Sequence, residues 1–94
     1  MLITWRRGRS PYRRYVAAWK DNRLDIMVSV LDSKFVNSDA LLATEDSIIV
    51  ECSPSDRIWG IGMKVCADAA DQSKWRGLNV LGQALCIVRD KQRA

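Results

Sequence analysis

The chain has 94 residues, enough for one small domain, and a domain of this size buries about two-thirds of the surface it exposes when unfolded. With 48% apolar and 28% charged residues it is not a disordered chain; no apolar run approaches the ~20 residues of a membrane span, and the arginine-rich start lacks the apolar stretch of a secretory leader. Three cysteines without Cys-x-x-Cys spacing and no histidine exclude the usual Cys/His zinc sites and leave any Ser or Cys nucleophile without an imidazole base, so the expectation is a soluble, cytoplasmic protein with buried reduced thiols and no cofactor.

The net charge of +4 is unevenly placed. Arg6, Arg7, Arg9, Arg13 and Arg14 crowd the first fifteen residues, where Asp and Glu are absent. Guanidinium forks suit phosphate oxygens, so this segment reads either as a phosphate contact or as a solvated basic stretch. Met1 to Arg9 alternate weakly and carry no helix start. Ser10-Pro11 supplies a favoured N-cap and first helical residue. Tyr15, Trp19, Ile26, Val30 and Phe35 then recur at helical spacings, with Val16, Met27 and Leu31 on the same broad face. The pattern predicts an amphipathic helix that starts after Val16 and runs to about Val36. Asn37-Ser38-Asp39 ends it, and 40–43 is expected to form one short turn.

Ile48 to Cys52 is a β-branched run and predicts a short strand. It leads into Ser53-Pro-Ser-Asp-Arg-Ile-Trp-Gly-Ile-Gly62, a loop anchored at a strand's end, where functional residues are common. Asp56 supplies a carboxylate, Trp59 a flat stacking surface, and Gly60 and Gly62 a backbone able to approach a ligand. Those parts suit a sugar or nucleobase site. They suit a surface turn with a half-buried Trp equally well, Asp56 then being an Asx-turn or cap residue. Lys64 to Lys74 shows no strong period.

From Trp75 the chain reads Trp-Arg-Gly-Leu-Asn-Val-Leu-Gly82, and Leu78, Leu81, Leu85 and Val88 form a stripe at three- and four-residue steps. This predicts a second amphipathic helix, with Lys91 and Arg93 near its C-terminus, where cations suit the dipole. Gly82 inside it costs up to about 1 kcal/mol relative to Ala, which close packing or a nearby ligand would justify. Asn79 stands where it would cap the helix or point an amide at a ligand. Trp75 reads as a structural anchor.

Asp56 with Trp-Gly-Ile-Gly at 59–62, and Trp-Arg-Gly-Leu-Asn-Val-Leu-Gly at 75–82, resemble the motifs of the NADAR (YbiA-like) family. Gly8-Arg9, Trp19 with Arg23 and Met27, Lys34-Phe35 and Leu41 to Thr44 follow in the family's order. The resemblance implies an α+β, mainly helical YbiA-like fold spanning 1–94 as a partial domain that lacks the family's N-terminal portion. It also implies N-glycosidase chemistry on a ribosylated base, of the riboflavin-intermediate or ADP-ribose type. On the family's pattern Asp56 is the catalytic residue, and Arg9, Trp19, Trp59, Gly60 and Asn79 bind substrate. The departures are the absence of the family's Ser-x-Glu-His-type motif, Glu45 at a position usually Gly, and a shortened segment between Phe35 and Leu41.

N-glycoside cleavage develops positive charge on the sugar, so a carboxylate near the anomeric carbon is what the chemistry needs, by analogy with other glycosidases. Asp56 fits that role, the two tryptophans fit stacking or water exclusion, and Arg9 fits a phosphate. The expected partner is a nucleotide-like or phosphoribosyl small molecule, with a complementing N-terminal chain as a further partner. Nucleic acid enters only as an ADP-ribosylated substrate, and no membrane is expected. A rival reading is a non-catalytic ADP-ribose or nucleotide-binding module; a basic nucleic-acid-binding domain ranks last.

Overall fold

A computed structural model of the chain describes residues 1–5, 22–36 and 38–93. Strand β1 (Leu2–Trp5) is followed by helix α1 (Arg23–Lys34), the short helix α2 (Asp39–Leu42) and strand β2 (Ile48–Glu51). Two 3-10 turns (Ala67–Ala70 and Gln72–Lys74) then lead to helix α3 (Val80–Arg93). The α+β class expected from the sequence is the class observed. The Arg9 and Trp19 positions, and the first part of the helix expected after Val16, lie outside the described residues.

The strands pair antiparallel, Leu2 opposite Glu51 and Trp5 opposite Ile48. The ladder closes where the Cys52 N–H donates to the Met1 carbonyl at 2.7 Å. Ile48, Ile49 and Val50 are all buried, so β2 shows the continuous apolar run of a strand covered on both faces rather than alternation. Leu2–Trp5 belongs to a stretch with only a weak sequence pattern, and it forms a strand because β2 gives its backbone partners.

Helix α3 is the centre of the molecule. Val80, Gly82, Gln83, Ala84, Leu85, Cys86, Val88 and Arg89 are all buried, so most of its circumference is covered. The amphipathic stripe read from the sequence therefore understates its burial. Arg89, the most enclosed charge among the described residues, donates from Nη1 to the Ser47 carbonyl at 2.5 Å and to Thr44 Oγ1 at 3.2 Å, which ties α3 to the turn before β2. Near the C-terminus, Lys91 meets Asp32 of α1 at 3.2 Å and Gln92 Nε2 donates to the Phe35 carbonyl at 2.6 Å.

Helix α1 presents Leu24 and Leu31 to the core, with Met27, Val28 and Phe35 packed beside them. Ile26 and Val30, placed on the apolar face by their spacing, are 62% and 55% exposed. A 100° step per residue sets positions 26 and 30 nearly opposite 24, 31 and 35, and the core selects the second line. Between β1, α2 and α3 lies an apolar cleft of about 270 Å³, lined by Leu2, Ile3, Phe35, Leu41 and Leu85 among others.

Candidate functional site

The two sequence segments that stood out, 53–62 and 75–82, form one structure. Arg76 N–H donates to the Ile61 carbonyl at 2.8 Å, Leu78 to Arg57 at 2.9 Å, and Asn79 to Gly60 at 3.0 Å. Val80 donates to Ile58 at 3.0 Å and Leu81 to Trp59 at 3.1 Å. The last two are first-turn N–H groups of α3, which an isolated helix would leave without partners. Here the loop's carbonyls take them, so the positive end of α3 is already covered by protein.

Asn79 joins this ladder to the sheet. Its φ of 53° lies in the left-handed region, which Asn tolerates better than most residues. Its carbonyl accepts from Gln83 N–H at 3.0 Å, as that of an N-cap residue does. Its side chain turns away from the helix toward β2: Oδ1 accepts from Glu51 N–H at 2.8 Å and Nδ2 donates to the Ile49 carbonyl at 3.0 Å. The carboxamide thus occupies the edge of β2 as a neighbouring strand would. This explains Gly82, because a Cβ there would stand 2.1 Å from the Ile49 oxygen and 2.4 Å from Asn79 Nδ2. Close packing on the strand, not helix propensity, selects glycine.

Asp56 sits at the start of the loop. Its Oδ1 accepts from Ile58 N–H at 3.0 Å and from Trp59 N–H at 2.9 Å, the geometry of an Asx turn. Oδ2 has no hydrogen bond among the described residues. Trp59 is half-buried and packed against the core, and Gly60 is buried with its carbonyl engaged by Asn79 N–H. Trp75 donates from its indole to the Ala69 carbonyl at 2.9 Å, consistent with its role as an anchor. The fold therefore brings Asp56, Trp59, Gly60 and Asn79 into one junction.

The thiols do not extend this chemistry. Burial pushes the Cys86 and Cys52 thiols above their ordinary values, which keeps both protonated at neutral pH. Cys66 is exposed. Among the described residues no group of His, Cys, Asp and Glu side chains is arranged to hold a metal ion, and no helix is long and apolar enough to cross a membrane.

Residues that the sequence reading left aside gather on the outer side of the junction. Arg57, Lys64 and Arg76, with Pro54, Cys66 and Asp68, line an open cleft of about 400 Å³. Asp56 and Trp59 belong to the same loop but do not line it. The signal for this cluster was present in both motifs, as Arg follows Asp56 in one and Trp75 in the other.

The sequence profile of the NADAR domain matches residues 5–93. The chain is 39% identical over 80 residues to an N-glycosidase of Acanthamoeba polyphaga mimivirus, an alignment covering 80% of this chain and 47% of that protein. It is 34% identical over 90 residues to an N-glycosidase of Nostoc punctiforme, covering 92% of this chain and 51% of the relative. A chloroplastic riboflavin biosynthesis protein, PYRR, of Zea mays is 31% identical over 77 residues, 78% of this chain and 11% of the maize protein. The chain thus spans about half the length of the two N-glycosidases it matches. No solved structure matches it.

Proposed function

Because this chain belongs to the NADAR domain family, we propose that it contributes to hydrolysis of an N-glycosidic bond in a ribosylated base or an ADP-ribose-like substrate. The observation that carries this reading is the state of the Asp56 carboxylate. One oxygen holds the loop through Ile58 and Trp59 N–H, so the group is fixed in place, and the other is left without a hydrogen bond among the described residues. A fixed carboxylate edge, in the same loop as a half-buried tryptophan, suits the charge stabilisation that an oxocarbenium-like transition state needs.

In this reading Oδ2 stabilises the cationic sugar or orients the attacking water, and Trp59 supplies a wall against the base or solvent. Asn79 and Gly60 act by position: they bind the loop to β2 and α3 and set where Asp56 stands. Arg9 and Trp19 remain proposed substrate contacts. The proposed substrate is a phosphoribosyl or nucleotide-like small molecule.

A second reading, a nucleotide-binding module without catalysis, is favoured by the Asx turn itself, because Asp56 already has a structural task. Thermal-shift titration of the chain with ADP-ribose, together with chromatographic detection of released base from ribosylaminopyrimidine and ADP-ribosylated substrates, separates the two. Hydrolysis supports the glycosidase reading. A shift in melting temperature without any product supports the module and contradicts the glycosidase.

A further inference from the structure

The cations of the outer cleft are distinguished by what they lack. Among the described residues, Lys74, Arg89, Lys91 and Arg93 have carboxylate partners, Lys34 lies 5.9 Å from the centre of the Phe35 ring, and Arg23 is also engaged. Arg57, Lys64 and Arg76 have no ion pair or hydrogen bond from their side chains among those residues, and all three line the same cleft. Among the described residues the carboxylate that lines it, Asp68, is shared with Lys74 at 3.2 Å.

The convergence is built into the backbone. The Leu78 N–H to Arg57 carbonyl bond and the Arg76 N–H to Ile61 carbonyl bond hold both arginines on the two hydrogen-bonded segments. Between them lies Gly62, with φ of +72°; a Cβ there would approach Arg57 Cγ and Arg76 Cβ, each at 3.1 Å. The two side-chain stems therefore start side by side across a residue that has no side chain of its own. Two arginines whose stems start so close, with a lysine on the same rim, concentrate positive charge that an anion would offset. The N-terminus of α3 is not the attraction, since loop carbonyls cover its first N–H groups.

We propose that this cleft is a phosphate subsite in which Arg57 and Arg76 clamp the terminal phosphate of a phosphorylated riboside and Lys64 neutralises its second charge. Its volume of about 400 Å³ accommodates a phosphorylated sugar. Arg57 stands between Asp56 and Trp59 in sequence, so the anion would be held by the same loop whose other residues are assigned to the glycosidic bond. The riboside portion of the ligand rests on the glycosidase reading; the anion site rests on the charges.

Titration calorimetry of the chain with ribose 5-phosphate and with ribose tests it. The native chain is expected to bind ribose 5-phosphate at least tenfold more tightly than ribose, with affinity falling as salt is raised. R57Q/R76Q is expected to lose that preference, K64Q to lose part of it, and K91Q/R93Q, which removes two charges from the end of α3, to retain it. Slower alkylation of Cys66 in the presence of ribose 5-phosphate gives a second readout, because that thiol lines the cleft. Equal affinity of R57Q/R76Q and the native chain, equal loss in K91Q/R93Q, or no preference for the phosphorylated sugar in the native chain overturns the proposal. Arginine-dependent binding without base release leaves the subsite standing and removes the glycosidase reading. Base release unaffected by R57Q/R76Q does the reverse.

Discussion

The junction of β2, the 53–62 loop and the start of α3 is held together differently from the face where α1 packs on α3. At the junction, main-chain groups and one buried carboxamide make the contacts, and glycine is placed where backbone approaches backbone. On the α1 face the contacts are Leu24, Leu31 and their neighbours against the side of α3, while Ile26 and Val30 face outward. The first region fixes where a carboxylate and an indole stand; the second supplies burial, with tolerance of change confined to its outward residues. Positional precision and hydrophobic stabilisation are divided between two ends of the same fold.

Substitutions at the junction are expected to have the largest effects. Gly82→Ala gains up to about 1 kcal/mol of helix propensity, but drives a methyl group into the Ile49 carbonyl and the Asn79 amide. Overpacking of this kind costs about 1–3 kcal/mol, occasionally more, and contact with backbone favours the upper end. In a domain whose total stability is of order 5–15 kcal/mol, denaturant midpoints should fall sharply. A midpoint within error of the native one would remove close packing as the reason for glycine.

Asn79→Ala follows. It leaves the Glu51 N–H and the Ile49 carbonyl without their side-chain partner and places a non-Gly, non-Asn residue at positive φ. Each lost bond contributes about 0.5–1.5 kcal/mol. Asn79→Gly relieves the backbone strain but not the lost bonds, so its urea midpoint should lie between those of Asn79→Ala and the native chain. If the two variants unfold alike, the φ contribution is negligible.

The opposite face should show the smallest effect. Ile26→Lys with Val30→Lys changes two exposed residues on the far side of α1 and is expected to stay within about 0.5 kcal/mol per site. A large destabilisation there would mean that the line of buried residues on α1 has been misplaced.

Much of the junction was legible in the sequence, but its internal logic was not. The β-branched run at Ile48–Val50 announced β2, and Gly82 stood out as a residue that close packing or a ligand had to explain. The two motifs were each visible, yet nothing local indicates that their backbones pair with one another. Asn79 offered a cap and a ligand contact as readings; its actual partner is a strand about thirty residues earlier, which only tertiary structure reveals. The face of α1 was read too broadly: Met27, Leu31 and Phe35 do face the core, while Ile26 and Val30 share their apolar character but lie outside the line that the position of α3 selects. β1 was missed for a related reason, since its pattern is weak and its identity comes from its partner.

The central claim is that the two oxygens of Asp56 have separate tasks, one holding the loop and one facing the chemistry. Asp56→Asn divides them, because the amide oxygen still accepts from Ile58 and Trp59 N–H while the charge at the second position is lost. The most direct measurement is the single-turnover rate of base release by Asp56→Asn and native protein, with melting temperature and substrate affinity measured alongside. The account predicts a rate lower by about two orders of magnitude, with melting temperature and affinity nearly unchanged. Equal rates for the two proteins would contradict it and leave Asp56 as a turn residue alone.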